Sequence, residues 1–284
     1  MARAVVLAGG RGGRMGNPEK CLLPLGGVPL LFRVTGALQW AGFGEIVVAT
    51  TRGHPGVAWA ATTWGLRVIY TPGLGYEADL AFLASRLAPA LFVACDLADL
   101  APSHITPLVE KEVMATATSG GKYVGLTWVP GGLDRWTEVE VGSLININTW
   151  EDWHMAEEEL PPAYPLVVET NGLLPHEQTL GLAELDVISP VAVDVWTCTV
   201  LDGHHRLEAL RRAGAPAPVL PLDYRVVDVN LGKLEVMWRA AAGLPYPPKS
   251  TWHTYRGRHV SHIPTVPVAV GELHRVKPLR CEAI

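Results

Sequence analysis

The sequence is poor in glutamine, in paired cysteine and in long apolar runs. Its 284 residues include no window near the ~18 uninterrupted apolar positions of a membrane span. The opening MARAVVLAGG lacks the apolar core and small-residue cleavage site of a signal peptide. Together these absences give the expectation of a cytoplasmic protein without a membrane partner. Positive charge is not in excess either: 23 Lys+Arg face 28 Asp+Glu, a net charge of −5. A general nucleic-acid role is thereby excluded, because that affinity rests on basic surface neutralising phosphates, whereas a local basic cluster can still hold a small anion. The four cysteines, Cys21, Cys95, Cys198 and Cys281, are scattered and show no Cys-x-x-Cys spacing. Neither a zinc site nor a disulfide framework is indicated, and buried free thiols are expected. Two glutamines beside 23 prolines fit a heat-adapted source.

What is present is a chain with 49% hydrophobic and 18% charged residues, long enough for two modest domains with their own cores. Short apolar runs at 3–8, 45–50, 66–70 and 91–95 read as buried parallel strands. Helical stretches at 29–41, 55–64 and 76–88 lie between them, the alternation that builds a doubly wound sheet. Further strands are expected at 122–129 and 137–149, then a helix that opens at Thr149 with an acidic first turn and stops at Pro161-Pro162. Beyond that pair the texture changes to short strands within 167–170, 191–201 and 219–229, with one helix from Gly203 to Ala213. The boundaries expected are therefore 1–160 and 161–284, an α/β doubly wound, Rossmann-like domain followed by a small α+β domain.

Two segments carry chemistry. The first, "VVLAGGRGGRMGNPEKCLLPLGG" at 5–27, follows the first strand, where open parallel sheets bind ligands. Its glycines, Gly9 and Gly10 among them, let backbone N–H groups approach a phosphate, with Arg14 and Lys20 adding charge and Arg11 beside them. The spacing is not that of a Walker A loop. The longer string resembles the opening of nucleotidyltransferases, LAGGxGTRMGxxEKxLLPLxGxPLL, of the MobA-like and cobamide-type guanylyltransferase kind. "TPGLGYEADL" at 71–80, with Tyr76 and Asp79, "ACDLADL" at 94–100 and "ININTWEDWHMAE" at 145–157 extend the likeness over about residues 3–158. The resemblance implies transfer of a nucleoside monophosphate from GTP to a phosphorylated acceptor such as cobinamide phosphate, with pyrophosphate released. It implies Asp96 as the Mg²⁺ ligand, Lys20 and Arg14 on the phosphates, and backbone around residues 7–10 on the base. Two departures stand out. Gly13 replaces the usual hydroxyl residue, and the stretch between Asp99 and Gly142 is short for an acceptor pocket.

The second segment is "VLDGHHRLEALRRAG" at 200–214, where Asp202 reads as a helix N-cap and Gly203, His204, His205 and Arg206 crowd a helix start. Cations there oppose the helix dipole, a cost that phosphate binding would explain. "DGHHR" after a strand resembles the nucleotide-binding segment of the ParB/sulfiredoxin fold. His204 stands where sulfiredoxins need cysteine, and the acidic remainder does not suit a DNA-binding ParB protein. "LLPHEQT" at 173–179 and "PPKSTWH" at 247–253 are similar to segments of the archaeal free-serine kinase, although Trp252 replaces an arginine that Arg256 or Arg258 would have to stand in for. That resemblance implies phosphoryl transfer from ADP or ATP to the hydroxyl of L-threonine or L-serine. Glu177 is then the base, Asp202 orients the hydroxyl or holds Mg²⁺, and His204, His205, Arg206, Ser250, Thr251 and His253 form the phosphate cradle. The alternative kept open is a CTP-binding, nucleotide-sensing protein whose first domain is only structural.

Overall fold

The computed structural model describes residues 3–10, 12–17, 19–131, 135–181 and 186–282, and it divides into two compact units. The first runs to Pro161, except that Gly26–Pro29 and Thr63–Gly65 belong with the second, which takes in the chain from Pro162 onward.

In the first unit four parallel strands, β1 (Arg3–Leu7), β2 (Glu45–Thr50), β3 (Arg67–Tyr70) and β4 (Ala90–Ala94), alternate with helices α1 (Leu30–Trp40), α2 (Pro55–Thr63) and α3 (Tyr76–Leu87). Val5 pairs with Val47 on one side and with Phe92 on the other, and all three are fully buried. Burial on both faces is why β1, β2 and β4 read as apolar runs, whereas the edge strand β3 is only half-buried. After helix α4 (Pro102–Val109) come β5 (Met114–Ser119), β6 (Lys122–Val129) and β7 (Trp136–Glu140), giving the sheet order β3-β2-β1-β4-β6-β5-β7. The order reverses around β1, so the crevice past the carboxyl ends of β1 and β4 is the natural ligand site.

The strand expected over 137–149 ends at Glu140. Gly142, with φ +83°, turns the backbone out of extended geometry, and the chain returns to the sheet only where Asn146 bridges Leu97. The expected helix forms as α5 (Trp150–Glu158), with Asp152 N donating to Thr149 Oγ1 at 3.2 Å and Thr149 N donating back to Asp152 Oδ2 at 2.8 Å. Buried Arg33 of α1 donates to the carbonyls of Leu25, Ala98 and Pro161, fastening the end of the glycine-rich segment and the loop after β4 to one side chain.

The second unit is built on a mixed sheet of β8 (Leu166–Val168), β9 (Val191–Asp194), β10 (Val200–Asp202) and β11 (Ala217–Leu222) in the order β8-β11-β9-β10. Two helices accompany it, α6 (His204–Ala213) and α7 (Lys233–Ala242), where the sequence suggested one. The run at 191–201 is two strands, because buried Asp194 accepts from Thr197 N at 3.1 Å and from Thr197 Oγ1 at 2.6 Å and turns the chain back. Asp202 is not the helix cap expected. It closes β10, and Gly203, at φ +94°, is the N-cap of α6.

The cysteines also correct the reading from sequence. Cys21 and Cys95 form a disulfide in the first unit and Cys198 and Cys281 form one in the second, with Cα–Cα distances of 5.6 and 5.9 Å. Partners 74 and 83 residues apart are joined by folding, which spacing does not reveal. Among the described residues, no helix is long and apolar enough to cross a membrane.

Candidate functional site

At the carboxyl ends of β1 and β4 lies a cavity of ≈470 Å³ lined by Gly9, Gly10, Lys20, Asp79, Asp96 and the loop before α3. Lys20 opens a short 3-10 turn, Lys20–Leu22, and its Nζ lies 2.5 Å from Asp96 Oδ2 and 2.8 Å from the Ile147 carbonyl. Both partners of this ion pair are 15% exposed. The other carboxylate oxygen, Asp96 Oδ1, is buried without a partner among the described residues, and so is Asn146 Oδ1 on the bridged segment. Unpartnered buried oxygens are costly unless a ligand completes them, and hard oxygens suit a divalent cation. The site therefore fits a metal ion at Asp96, although no group of three or more His, Cys, Asp or Glu side chains gathers around a point among the described residues.

The neighbouring residues explain how the loop is held. Glu19, the other half of the Glu-Lys pair, accepts from Gly56 N and Val57 N at 2.6 and 3.1 Å and so caps α2; it is scaffold, while Lys20 faces the cavity. Sequence reasoning missed that division of labour. Trp150 Nε1 donates to the Met15 carbonyl at 3.1 Å, and Asp99 Oδ1 accepts from Ile145 N at 2.7 Å, which sets the segment that carries Asn146. Around Gly10 and Gly13 an added Cβ would meet nothing within 4 Å, leaving room for a ligand against bare backbone. Arg14 is exposed and lines a second, polar recess of ≈250 Å³ together with Gly12, Gly13 and Lys20, so Lys20 stands between the two volumes. Arg11 lies outside the described residues. Asp79 is buried and accepts from Gly73 N at 3.2 Å, shaping the 71–75 loop. Tyr76 donates to or accepts from Thr127 Oγ1 at 3.2 Å; burial of its hydroxyl and the nearby Asp96 carboxylate push its pKa up to about 12, so it stays protonated.

The stretch judged short for an acceptor pocket nevertheless forms one wall of a cavity. Residues of β5, β6 and β7 close with α3 around ≈590 Å³, and Tyr76 lines this volume as well as the glycine-loop cavity.

In the second unit the structure brings Glu177, Thr251, His176, His204 and His253 together. Thr251 N and Oγ1 donate to Glu177 Oε1 at 2.6 and 2.5 Å, and Lys249 N donates to Oε2 at 3.2 Å. With its one proton directed at Glu177, the Thr251 hydroxyl accepts from His176 Nε2 at 2.9 Å. His204 Nδ1 is 4.0 Å from Glu177 Oε2, and its ring stands edge-on to His176, 4.6 Å between centroids. His253 is 5.4 Å from His176 and shares a 3.0 Å hydrogen bond with Tyr224. His204 and His253 are not the cations that the sequence suggested. Burial, reinforced by neighbouring His176, drives the His204 pKa well below its ordinary value and the His253 pKa down to about 3. A neutral imidazole at the start of α6 removes the conflict with the helix dipole. His205 Nε2 accepts from Leu180 N at 3.0 Å, and Arg206 is engaged by Asp202 Oδ2 at 2.7 Å. Ser250 donates to the Pro247 carbonyl at 2.7 Å. The polar groups of the residues expected to form a phosphate cradle are thus largely satisfied by one another and by nearby backbone.

A doubly wound sheet with a glycine loop, a lysine-aspartate pair and a cavity at its switch point defines a nucleotide-handling α/β enzyme. The chain belongs to the MobA-like NTP transferase domain family, whose match covers residues 4–182, and it is a nucleotidyltransferase. That match runs past the first unit into the chain beyond Pro161. Similar solved structures include a nucleotidyl transferase from Methanothermobacter thermautotroptrophicus, at 21% identity over 56% of this chain and 97% of that one with a TM-score of 0.46. A CTP:phosphocholine cytidylyltransferase from Streptococcus pneumoniae aligns at 13% identity, 56% and 100% coverage and a TM-score of 0.43. A Mycobacterium tuberculosis protein crystallised with manganese aligns at 18% identity, 55% and 97% coverage and a TM-score of 0.43. No curated protein matches the chain.

Proposed function

We propose that the first unit, taken as residues 1–160, transfers a nucleoside monophosphate from GTP to a phosphorylated acceptor, cobinamide phosphate, in cobamide assembly. The observation that carries this reading is the Lys20–Asp96 pair on the wall of the glycine-loop cavity, with Asp96 Oδ1 left open. An oxygen of the acceptor phosphate attacks the α-phosphorus, a new P–O–P link forms, and the bond to the β-phosphate oxygen breaks so that pyrophosphate leaves with the electron pair. Backbone at Gly9 and Gly10 approaches the nucleotide, Arg14 holds phosphate oxygens, and Lys20 offsets charge that grows as pyrophosphate departs. A Mg²⁺ ion at Asp96 would add positive charge across the same oxygens. The test is pyrophosphate release from GTP with cobinamide phosphate. Turnover with GTP and none with sugar phosphates is the expected result, and no release with any nucleoside triphosphate would reject the reading.

A second reading concerns residues 161–284, taken as a ParB/sulfiredoxin-like amino-acid kinase domain, and rests on the Glu177–Thr251–His176 chain of hydrogen bonds. There the hydroxyl oxygen of L-threonine or L-serine attacks the terminal phosphorus of ADP or ATP, its proton passes to Glu177, and AMP or ADP leaves. Glu177 Oε2, with one long hydrogen bond, is the oxygen with capacity for that proton. Neutral His204 and His253 would act as hydrogen-bonding groups instead of fixed cations. Incubation with ADP or ATP, Mg²⁺ and each amino acid should yield an O-phospho product, and its absence in every combination sinks this half. A CTP-sensing domain would instead bind nucleotide without turnover, and binding would survive Glu177→Gln.

A further inference from the structure

The cavity behind Tyr76 has a chemistry of its own. One wall is the first two turns of α3, with Glu77 and Leu80; the other is one face of β5, β6 and β7, with Met114, Thr116, Tyr123 and Trp136. Alternate residues of a strand share a face, which is how residues 114 and 116, and 123, 125 and 127, come to line one surface. Gly125 lines the cavity where β6 runs close to β4 and α3. It sits at φ +71° opposite a register shift between Thr116 and Thr118, and a Cβ there would come within 2.8 Å of Ala94 Cβ and 3.7 Å of the Tyr76 ring. A glycine bulge of this kind re-aims the strand and lets it approach those neighbours closely.

The lining is aromatic and apolar at the rim and hydroxylic at the floor. Tyr123 and Trp136 stand 58% and 53% exposed with ring centroids 6.4 Å apart, a bare aromatic edge facing the opening. At the floor the Tyr76, Thr127 and Thr116 hydroxyls form a line with spacings of 3.2 and 3.4 Å. Among the described residues, no lysine, arginine, histidine or side-chain amide lines the cavity. A sugar or other polyol, with a hydroxyl on nearly every carbon, would leave most of its hydrogen bonds unmade here, and unmade buried hydrogen bonds are costly. A flat apolar body would instead cover the exposed rings.

We infer that this cavity is the acceptor subsite and that it selects an acceptor whose phosphate is carried on an extended aromatic or apolar body in preference to a sugar. The phosphate would pass Tyr76, the residue common to both cavities, to reach the side of Lys20. The inference rests on the nucleotidyltransferase reading of the first unit for the word acceptor, while the selectivity of the cavity rests on its lining alone.

The experiment titrates the full chain, without nucleotide, with 1-naphthyl phosphate and with glucose 1-phosphate, following tryptophan fluorescence and calorimetry. The expected result is binding of the naphthyl ester at least about tenfold tighter than the sugar ester. Trp136→Ala should weaken the naphthyl ester about tenfold, a loss of the size of one aromatic contact with its buried area. Trp136→Phe, which keeps a flat ring, should stay within about threefold of the parent. Equal or tighter binding of glucose 1-phosphate, or a Trp136→Ala variant of unchanged naphthyl affinity and unchanged melting temperature, overturns the inference. GTP affinity of Trp136→Ala is measured in parallel and should match the parent. The nucleotidyl reading fails separately, through absence of GTP-dependent pyrophosphate release, so the two failures are distinguishable.

Discussion

The two candidate centres are built on opposite plans. In the first unit the cavity contains an ion pair with one carboxylate oxygen open and glycines with space around them, and the recess beside it holds Arg14, which makes no side-chain hydrogen bond or ion pair among the described residues. In the second, Glu177 already accepts three hydrogen bonds, Arg206 is paired with Asp202, and the central histidines are buried and neutral. A site that leaves its polar groups open is poised for a charged ligand that brings its own partners. A site that satisfies itself is rigid and admits a ligand only by exchanging hydrogen bonds. The open charged groups thus lie in the first unit and the internally satisfied ones in the second.

The sharpest way to break that contrast is Glu177→Gln. If the second centre is catalytic, O-phosphoamino-acid formation should fall by about two to four orders of magnitude, the usual scale for a general base, with nucleotide affinity little changed. Unchanged turnover would make the hydrogen-bonded cluster structural. Lys20→Met comes next: pyrophosphate release should fall by about two to three orders of magnitude, as when one preorganised donor to a developing charge is removed. A loss of GTP affinity with unchanged maximal rate would show Lys20 to be a binding group only. Third, replacing Cys21 and Cys95 together by serine should lower the free energy of unfolding by about 2–4 kcal/mol in denaturant titrations, with a larger shift on adding a reductant to the parent, which opens the Cys198–Cys281 disulfide as well. The last prediction sharpens the second site and is read as a slope. His204 and His253 have folded-state pKa values below the ordinary one, so between about pH 6.5 and the folded values the unfolded chain binds protons that the folded chain does not. For His253 the contribution is fully present above about pH 6.5 and is lost as the pH falls toward about 3, at up to about 1.4 kcal/mol per pH unit, and His204 acts in the same direction. His253→Asn should flatten the acid limb of a melting-temperature profile, and a slope unchanged by that variant would show the histidine to be solvated.

The parallel strands were legible because double burial leaves no polar position to confuse them, and the glycine-rich loop because its composition has few other uses. Thr149 announced α5 through its capping chemistry. Other features depend on tertiary contact. Helix α7 was passed over among the prolines, although Gly232 and Gly243 bracket it and Val236 and Ala240 give it a buried stripe. The Asp202 cap was misread because aspartate before a helix is ambiguous until the φ of Gly203 is known. Charge on the histidines was misjudged because sequence does not report burial, and burial decides whether an imidazole is a cation. The cysteine pairs were invisible for the same reason. An acceptor pocket was discounted on segment length, whereas α3 and the faces of β5, β6 and β7 enclose a cavity there.

Cys21 follows Lys20 and Cys95 precedes Asp96, so the two members of the ion pair are each one peptide unit from the same covalent staple. Thermal fluctuations that part the first loop from the end of β4 must therefore carry a closed ring of chain with them. The spacing of lysine and aspartate is insulated from the fraying of either segment, and an enzyme built this way keeps its reactive geometry at temperatures where an unstapled pair would spend part of its time apart.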